Sequence, residues 1–446
     1  MKRALPEQNV NYGTKLNLIL VISLIFFTIR LVHAGIMINH AYLGADGPNY
    51  ISAFLSLVKD GLYSSNQQLL YWPAGYSVFV YCAYYLVPDN PLFAVSLLQD
   101  LFCTLGIVLF SKALASKIQN SNFALFLCLL LNISPMVFTL SLSIGYESMV
   151  LSLYMIILGI YVKNDLSNKS ALNLLRLFII ATCMATIVSF QPRFILSNFV
   201  IIFMFQFWRN NFNRFLAISV TILILANLIS PLALAIRNHE VHGVYIVSNN
   251  FAETLLIGAG DYASGAYNEN PIGIPCKLDS SSITNRERSL TMCVLNWYAT
   301  HPLKGLRLLV NKAYFYWTPW SGPLSKGTLT GNPWQKYAPG NLIQGETESK
   351  IALVGSKIAS LLYFLGYIFL TLSGYRKLIT QKSSLTILRL SHVSFILILL
   401  NMLISMATIG DNRFRVPMLA LLTFLQLTGL FFLVDKWQHI GDRSKK

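Results

Sequence analysis

Acidic side chains stand at the ends of apolar segments, where they are suited to acid–base chemistry. Asp46 lies between two glycines in "YLGADGPNY" (residues 42 to 50), just past a long apolar run. Glycines let a substrate approach the backbone closely, and the flanking tyrosines, Tyr42 and Tyr50, can stack on a sugar face. Asp46 is therefore a candidate general base and Tyr50 a candidate substrate contact, with a plain turn residue as the alternative for Asp46.

A second carboxylate, Glu147, opens another apolar run in "SIGYESMVL". An acidic side chain at a helix N-terminus is stabilised by the helix dipole. Glu147 is thus either a purely structural residue or the second acidic residue of a site.

Four arginines stand at comparable run ends: Arg193 in "FQPRFIL", Arg237 in "ALAIRNHEVHG", and Arg413 and Arg415 in "GDNRFRVP". Guanidinium groups bind phosphate oxygens bidentately, although arginine at a membrane edge can also merely extend its head group towards water. Arg413 and Arg415 are two positions apart, so they share a phosphate only if the backbone turns there. Together these residues indicate a site for an anionic, lipid-borne substrate.

The composition sets the elements that must position these side chains. Of 446 residues, 54% are hydrophobic and 12% charged, whereas a soluble protein has about 25% charged residues. The sequence predicts an all-α polytopic membrane protein, because runs near the roughly 20 residues that cross a bilayer recur along it. We predict about ten spans: 16–36, 92–111, 123–142, 145–162, 172–192, 194–208, 214–235, 351–374, 386–408 and 416–434.

The net charge of +16 is an orientation signal rather than a nucleic-acid signature, because the basic residues cluster at alternate ends of the runs. By the positive-inside rule both termini are cytoplasmic and Asp46 faces outward. This requires that residues 73–87 do not cross the membrane. Only 15 residues separate Pro73 from Pro88, which favours a juxtamembrane helix at the interface.

Three segments follow. Residues 1–235 form an N-terminal transmembrane catalytic module with a first outer loop at 37–91, residues 236–350 an extracytoplasmic region, and residues 351–446 the C-terminal helices. Within the second segment, residues 296–320 predict an amphipathic helix and a Trp-bearing turn; Trp317, Trp320 and Trp334 either anchor at the interface or stack on sugars. We interpret Glu253 and Asp261 as solvated loop charges.

The cysteines add little chemistry. Cys82, Cys103, Cys128 and Cys183 lie in apolar runs and are expected to be small buried hydrophobes. Cys276 and Cys293 lie in the outer segment, either as a disulfide or as two free thiols. The sequence contains no Walker loop, dinucleotide fingerprint or HExxH pair.

Six stretches, in this order, carry a resemblance to a known family: "GADGPNYISAFLSLVKDGLY", "YWPAGYSVFVY", "SIGYESMVLSLYMIILGIY", "RNHEVHGVYIVSNNFAETLLIGAGDYASGAY", "HPLKGLRLLVNKAYFYW" and "DNRFRVPMLALLTFL". Over about residues 30 to 430 the chain resembles the membrane glycosyltransferases of the C-type superfamily. The most similar branch is that of the bacterial protein-mannosyltransferase-like and aminoarabinose-transferase-like proteins.

The resemblance implies roles for individual residues. Asp46 matches the catalytic aspartate of the first loop, Glu147 the second acidic position, and Arg193 a Lys or Arg that contacts the carrier phosphate. Two departures stand out, because the Asp-Glu pair of the mannosyltransferase branch is Asp46-Gly47 here and its "PPGYP" is "PAGYS". The first departure puts tight metal binding in that loop in doubt. We predict no cofactor and leave a divalent metal open.

The predicted function is transfer of a sugar from a polyprenyl-phosphate carrier to an acceptor hydroxyl on a glycan, lipid or protein, outside the inner membrane of a bacterium. Asp46 takes the hydroxyl proton, while Arg193, assisted by Arg237 or Arg413, stabilises the leaving phosphate. No nucleic-acid partner is expected. Two alternatives stay open: a flippase for lipid-linked sugar, for which Asp100 beside Gln99 is the intramembrane polar candidate, and an O-antigen-type polymerase.

Overall fold

The structure is a computed structural model, and it describes residues 7–38, 46–118, 121–164, 166, 169–208, 214–266, 274, 276, 282–318, 350–380 and 384–443. Helices dominate this part of the chain. The first half contains α1 (Glu7–Val32), α2 (Gly47–Asp60), α3 (Gln68–Tyr71), α4 (Gly75–Tyr84), α5 (Pro91–Ile118), α6 (Ser121–Ile133), α7 (Pro135–Ser141), α8 (Glu147–Lys163), α9 (Ala171–Phe190) and α10 (Ile195–Ile202).

The second half contains α11 (Arg214–His242), α12 (Phe251–Ile257), α13 (Ile283–Thr300), α14 (Pro302–Trp317), α15 (Lys350–Thr380), α16 (Leu385–Ala407) and α17 (Leu419–Arg443). Short 3₁₀ turns at Pro192–Phe194 and Asn412–Met418 precede α10 and α17. Two π-helical turns, His33–Ile38 and Phe203–Phe207, follow α1 and α10.

The prediction of an all-α polytopic membrane protein is confirmed. Six helices in the described part of the chain are long and apolar enough to cross a membrane, or seven if the bent pair α6–α7 is one span. This is fewer than the ten predicted runs. The run 351–374 lies within α15, a helix of 31 residues, and three other runs differ for local reasons. The run 145–162 is α8, only 17 residues long; the run 123–142 bends by 56° at Pro135; and the run 194–208 is split between a 3₁₀ turn, α10 and a π turn.

The segment 73–87 forms α4, a helix of ten residues, which is too short to cross a bilayer. Tyr76 in α4 is fully buried. Its hydroxyl donates to Gln99 Oε1 of α5 at 2.8 Å and accepts from the backbone N–H of Gly145, also at 2.8 Å. These two hydrogen bonds connect α4 to α5 and to the turn that leads into Glu147.

Small residues bring the long helices together. A Cβ added at Gly106 of α5 would lie 2.9 Å from the carbonyl oxygen of Ser152 in α8, and one at Gly159 of α8 would lie 3.1 Å from the backbone of Leu109. Gly374 of α15 meets the backbone of α17 in the same way. In an apolar solvent such close contacts are the main source of helix association.

A buried ion pair connects α1 to α5. Arg30, which the sequence analysis did not single out, is completely buried and donates from Nε to Asp100 Oδ1 at 2.5 Å. Its two terminal nitrogens donate to Thr104 and Asn132. Asp100 therefore has a cationic partner inside the bundle, and both side chains serve helix docking in this structure.

The outer segment differs in detail from the prediction. Residues 296–320 are not one helix, because Pro302 starts a new one, α14, directly after α13 ends. A disulfide joins Cys276 and Cys293. Cys82, expected to be buried, is exposed. Trp317 packs on Tyr316 and Tyr367, whereas Trp320 and Trp334 lie outside the described residues.

Asp261 and Glu253, which the sequence analysis interprets as solvated loop charges, each form an ion pair. Asp261 accepts from Lys304 Nζ at 2.7 Å, and this hydrogen bond is the main reason why the pKa of Asp261 is lowered. Glu253 pairs with Arg286 of α13. The outer segment is thus held by a covalent link and by ion pairs that connect α12 and its following loop to α13 and α14. The division of the chain into three segments stays a prediction.

Candidate active site

Asp46 is the residue that precedes α2. Its backbone carbonyl accepts from Asn49 and Tyr50 in the first turn, but its carboxylate does not cap the helix. The carboxylate accepts instead from Arg413, with Oδ2 at 2.6 Å from Nη1. The local fold therefore presents the acidic group away from its own helix and towards the start of α17.

Arg413 lies in the 3₁₀ turn before α17, with three carboxylates around its guanidinium. The turn is capped by Asp411, whose side chain accepts from the backbone N–H of Arg413 at 2.9 Å. Arg413 Nε lies 3.7 Å from Asp411 Oδ2 and 3.9 Å from Glu147 Oε1, in addition to the contact with Asp46. One cation thus draws together acidic groups from three distant parts of the chain.

Glu147 is the first residue of α8, as predicted, and is buried. Its carboxylate turns back over Gly145, where an added Cβ would lie only 2.8 Å from Oε2. A side chain at position 145 would require this carboxylate to move. The position of Glu147 is therefore set by the turn that Tyr76 holds, and the carboxylate faces Arg413 rather than solvent.

Arg193 reaches the same place from the 3₁₀ turn after α9. It donates from Nη2 to the hydroxyl of Tyr146 at 2.9 Å. Its Cζ lies 4.3 Å from the centre of the Phe414 ring, and the Cζ of Arg413 lies 5.4 Å from the same ring. Phe414 therefore contacts two guanidinium groups with one aromatic ring, and cation–π attraction offsets part of their desolvation.

Both guanidinium groups retain an unused donor. The Nε atoms of Arg193 and Arg413 are buried and have no hydrogen-bond partner. They border a cavity of about 220 Å³. Its wall consists of Asp46, Asn49, Tyr71, Trp72, Tyr146, Gln191, Arg193, Asn250, Phe251, Thr254, Ile257, Ile404, Thr408, Ile409, Arg413 and Phe414. The wall thus combines two guanidinium groups with the carboxylate of Asp46.

The structure brings four of the seven predicted site residues together: Asp46, Glu147, Arg193 and Arg413. It directs the others elsewhere. Arg237 donates to the backbone carbonyls of Leu62, Ser64 and Leu69, which fastens the first outer loop to the end of α11.

Arg415 and Tyr50 also lie away from the cavity wall. Arg415 is buried and donates to the carbonyls of Tyr316 and Thr318. A 3₁₀ turn has three residues per turn, so side chains two apart point in different directions and Arg415 diverges from Arg413. Tyr50 is buried between Trp72 and Tyr76, and burial, then the nearby Asp46 charge, raises the pKa of its phenol.

Sequence reasoning missed several functional positions. Asp411 lies in the motif "GDNRFRVP", directly before Asn412 and Arg413. Aspartate is a favoured N-cap residue, so its capping role could have been predicted from the sequence. Tyr146 and Phe414 adjoin predicted residues but carry no motif of their own. Nothing in the sequence placed Asn250, Phe251 and the other α12 residues at the cavity.

The donor set does not make an evident metal centre. Among the residues that the structure describes, no group of three or more His, Cys, Asp or Glu side chains is arranged to hold a metal ion. The carboxylates of Asp46, Glu147 and Asp411 lie around the guanidinium of Arg413 instead.

No protein-family model matches the chain, and no curated protein matches it. Several solved structures are similar, including two of oligosaccharyltransferases. The archaeal oligosaccharyltransferase AglB from Archaeoglobus fulgidus, in complex with an inhibitory peptide and a dolichol-phosphate, shares 13% identity over 96% of this chain and 51% of that chain, with a TM-score of 0.48. The apo form of the Archaeoglobus fulgidus oligosaccharyltransferase shares 12% identity over 96% of this chain and 52% of that chain, with a TM-score of 0.50.

The chain thus spans about half the length of the solved structures it matches. At 12% identity, the likeness to the apo form concerns the fold. The C-type superfamily that the sequence resembles stays a prediction at that level of identity. The bacterial branch stays a prediction.

Proposed function

We propose that this chain is an integral-membrane glycosyltransferase that moves a sugar from a polyprenyl-phosphate carrier to an acceptor hydroxyl on the extracytoplasmic face. The observation that carries the proposal is one cavity bordered by the Asp46 carboxylate and by the guanidinium groups of Arg193 and Arg413. The fold shared with an archaeal oligosaccharyltransferase supports the same class of reaction. The basic residues at alternate span ends support the outward orientation.

Arg193 and Arg413 are assigned to the phosphate of the donor. Both have a buried, unused Nε donor at the cavity, and charge-assisted hydrogen bonds to phosphate are the strong ones. Arg413 forms an ion pair with Asp46. A phosphate that competes for this guanidinium releases the carboxylate of Asp46 for the acceptor.

The reaction then needs one base. The acceptor oxygen attacks the anomeric carbon as its proton passes to Asp46, and the bond from that carbon to the phosphate oxygen breaks. The second pKa of a phosphate ester is about 6, so the carrier phosphate leaves without a proton, unlike the leaving alkoxide in glycoside hydrolysis. Glu147 is assigned to orienting Arg413, since its Oε1 lies 3.9 Å from Nε.

Substitution Asp46→Asn tests the proposal, because an amide cannot take the acceptor proton. With purified protein and a radiolabelled polyprenyl-phosphate sugar, we expect transfer to fall by a factor on the order of 10² to 10⁴, while donor binding persists. Asp60→Asn is the matched control, because Asp60 ends the same helix and is exposed.

Undiminished sugar release by Asp46→Asn would contradict the assignment of the base. A flippase moves the labelled lipid intact across vesicles, so movement without sugar release would replace the proposal with that alternative. Transfer of whole oligosaccharides only, with no single-sugar product, would favour a polymerase. Arg30 already compensates the charge of Asp100, so the one intramembrane feature that favoured a flippase has a structural role.

A further inference from the structure

A second cavity, of about 380 Å³, lies beside the candidate active site. Its wall consists of Asn49, Gln67, Gln68, Tyr71, Asn249 and Arg286. Two of these residues, Asn49 and Tyr71, also belong to the wall of the first cavity. The two cavities therefore meet at a shared partition, and Asn49 follows Asp46 by one helical turn.

The second cavity presents hydrogen-bonding groups without partners. Gln68 Oε1 and Asn249 Oδ1 are buried and have no hydrogen-bond partner. Their backbones are fixed, since the N–H of Gln68 donates to Asn66 Oδ1 at 2.8 Å and the N–H of Asn249 donates to the carbonyl of Leu70 at 3.0 Å. Buried polar atoms in folded proteins normally have partners. These two acceptors are held ready for donors that a ligand brings.

The charge of this cavity is balanced. Arg286 forms an ion pair with Glu253, and the remaining wall residues are amides and a tyrosine. An amide side chain both donates and accepts, which matches a hydroxyl group. This wall thus suits a neutral, hydroxyl-rich ligand better than an anion or an apolar chain.

We propose that the second cavity binds a neutral sugar residue of a glycan acceptor and directs one of its hydroxyl groups past Asn49 to Asp46. This inference rests on the proposed function for the identity of the ligand as acceptor. Gln68 and Asn249 accept hydrogen bonds from the sugar hydroxyls. Both are positioning residues, because neither lies at the wall of the first cavity.

Binding is testable without turnover. Saturation-transfer NMR on the purified full-length protein, with methyl α-glucoside, methyl α-galactoside and methyl α-mannoside as probes, detects contact with a sugar. We expect at least one hexoside to receive saturation in the wild type. The double variant Gln68→Leu/Asn249→Leu should weaken its binding by about tenfold, because two hydrogen bonds are lost.

Asn296→Leu is the matched control, since Asn296 is an exposed amide of α13 outside both cavity walls. It should leave binding unchanged, and an unaltered melting temperature shows that each variant folds. The proposal is overturned if no hexoside binds, if the double variant binds normally, or if an acetylated tripeptide competes for the site in place of sugars. Transfer by the wild type separates the two proposals: a wild-type protein that binds the sugar but transfers none overturns the transferase alone.

Discussion

At the scale of single residues, Arg413 organises the candidate active site. It contacts Asp46 directly and lies within 4 Å of Glu147 and Asp411, the latter two at 3.9 and 3.7 Å. Truncating it would leave buried carboxylates without a counter-charge. A guanidinium in this position therefore stabilises the folded protein and also binds the donor in the proposed reaction.

Lys312 is a buried cationic residue outside the candidate active site. It lies on α14, donates from Nζ to the hydroxyl of Tyr298 at 3.1 Å, and has no exposed surface. Burial lowers the pKa of Lys312 to about 7, and burial also raises the pKa of Tyr298 to about 12. Of this pair, only the lysine titrates near neutral pH.

This burial predicts a pH dependence of stability. Between pH 7 and the ordinary lysine pKa of about 10.4 the unfolded chain binds more protons at this position than the folded chain, so stability rises with pH by up to about 1.4 kcal/mol per unit. Lys312→Met should remove this rise, as seen in melting temperatures across that range. Lys304→Met is the control, because Lys304 is exposed; parallel curves for wild type and Lys312→Met would contradict the prediction.

The sequence predicted the residue types of the site better than their contacts. Asp46, Glu147, Arg193 and Arg413 were readable because each is a charge at the end of an apolar run. Arg237 and Arg415 share that feature yet bind backbone carbonyls. The difference depends on which way the backbone turns over two or three residues, which charge and hydropathy do not encode.

At the scale of secondary structure elements, α15 and α17 depend on glycine where they cross. An added Cβ at Gly374 would overlap the backbone carbonyl of Leu425, whereas Gly366 on the same helix has nothing within 4 Å of that position. Gly374→Val should lower stability by about 1 to 3 kcal/mol or more through overpacking. Thermal melting in detergent measures this loss of stability, and Gly366→Val should change the melting temperature little. Equal losses in both variants would show that they arise from the low helix propensity of valine and not from the helix crossing.

The pair of Arg30 and Asp100 makes a second prediction for the helices. Asp100→Leu leaves the Arg30 charge uncompensated in the interior, which costs about 3 to 5 kcal/mol for a buried pair. Arg30→Met/Asp100→Leu removes both charges and should recover most of that loss. Melting temperatures of the two single variants and the double variant test this; a double variant as unstable as Asp100→Leu would argue against the pairing.

Several helix starts could be predicted from proline residues in the sequence. Pro91, Pro135 and Pro302 each begin a helix, and proline at the first turn is favourable because its missing N–H is not needed there. The predicted helix over 296–320 ignored that signal at Pro302. Whether the bent pair α6–α7 crosses as one span depends on tertiary packing, which hydropathy does not report.

At the scale of the whole molecule, orientation is the property to measure. Tyr262 in the outer segment is 80% exposed, and Lys163 at the end of α8 is also exposed. With the exposed Cys82 replaced by serine, Tyr262→Cys should react in intact cells with a membrane-impermeant maleimide, while Lys163→Cys should react only after permeabilisation. Reaction of both positions in intact cells, or of Lys163→Cys alone, would contradict the predicted topology.

The membrane class was readable from composition because bilayer insertion depends on the summed apolarity of each run. The contacts within the site could not be predicted in this way, because its residues come together from the start of α2, from α8, from the turn after α9 and from the turn before α17. Such contacts depend on how the helices pack, and the shared fold with an archaeal oligosaccharyltransferase at 12% identity shows that two very different sequences reach a similar arrangement of helices.

The contact between Asp46 and Arg413 joins residues 367 positions apart. During synthesis the ribosome delivers the first partner long before the second, so a nascent chain that has inserted only its early helices holds a carboxylate with no guanidinium beside it. Chemistry at this place must wait until the last hydrophobic segment has entered the bilayer. If the proposed reaction is correct, the order of assembly thereby prevents a half-inserted chain from consuming the lipid donor.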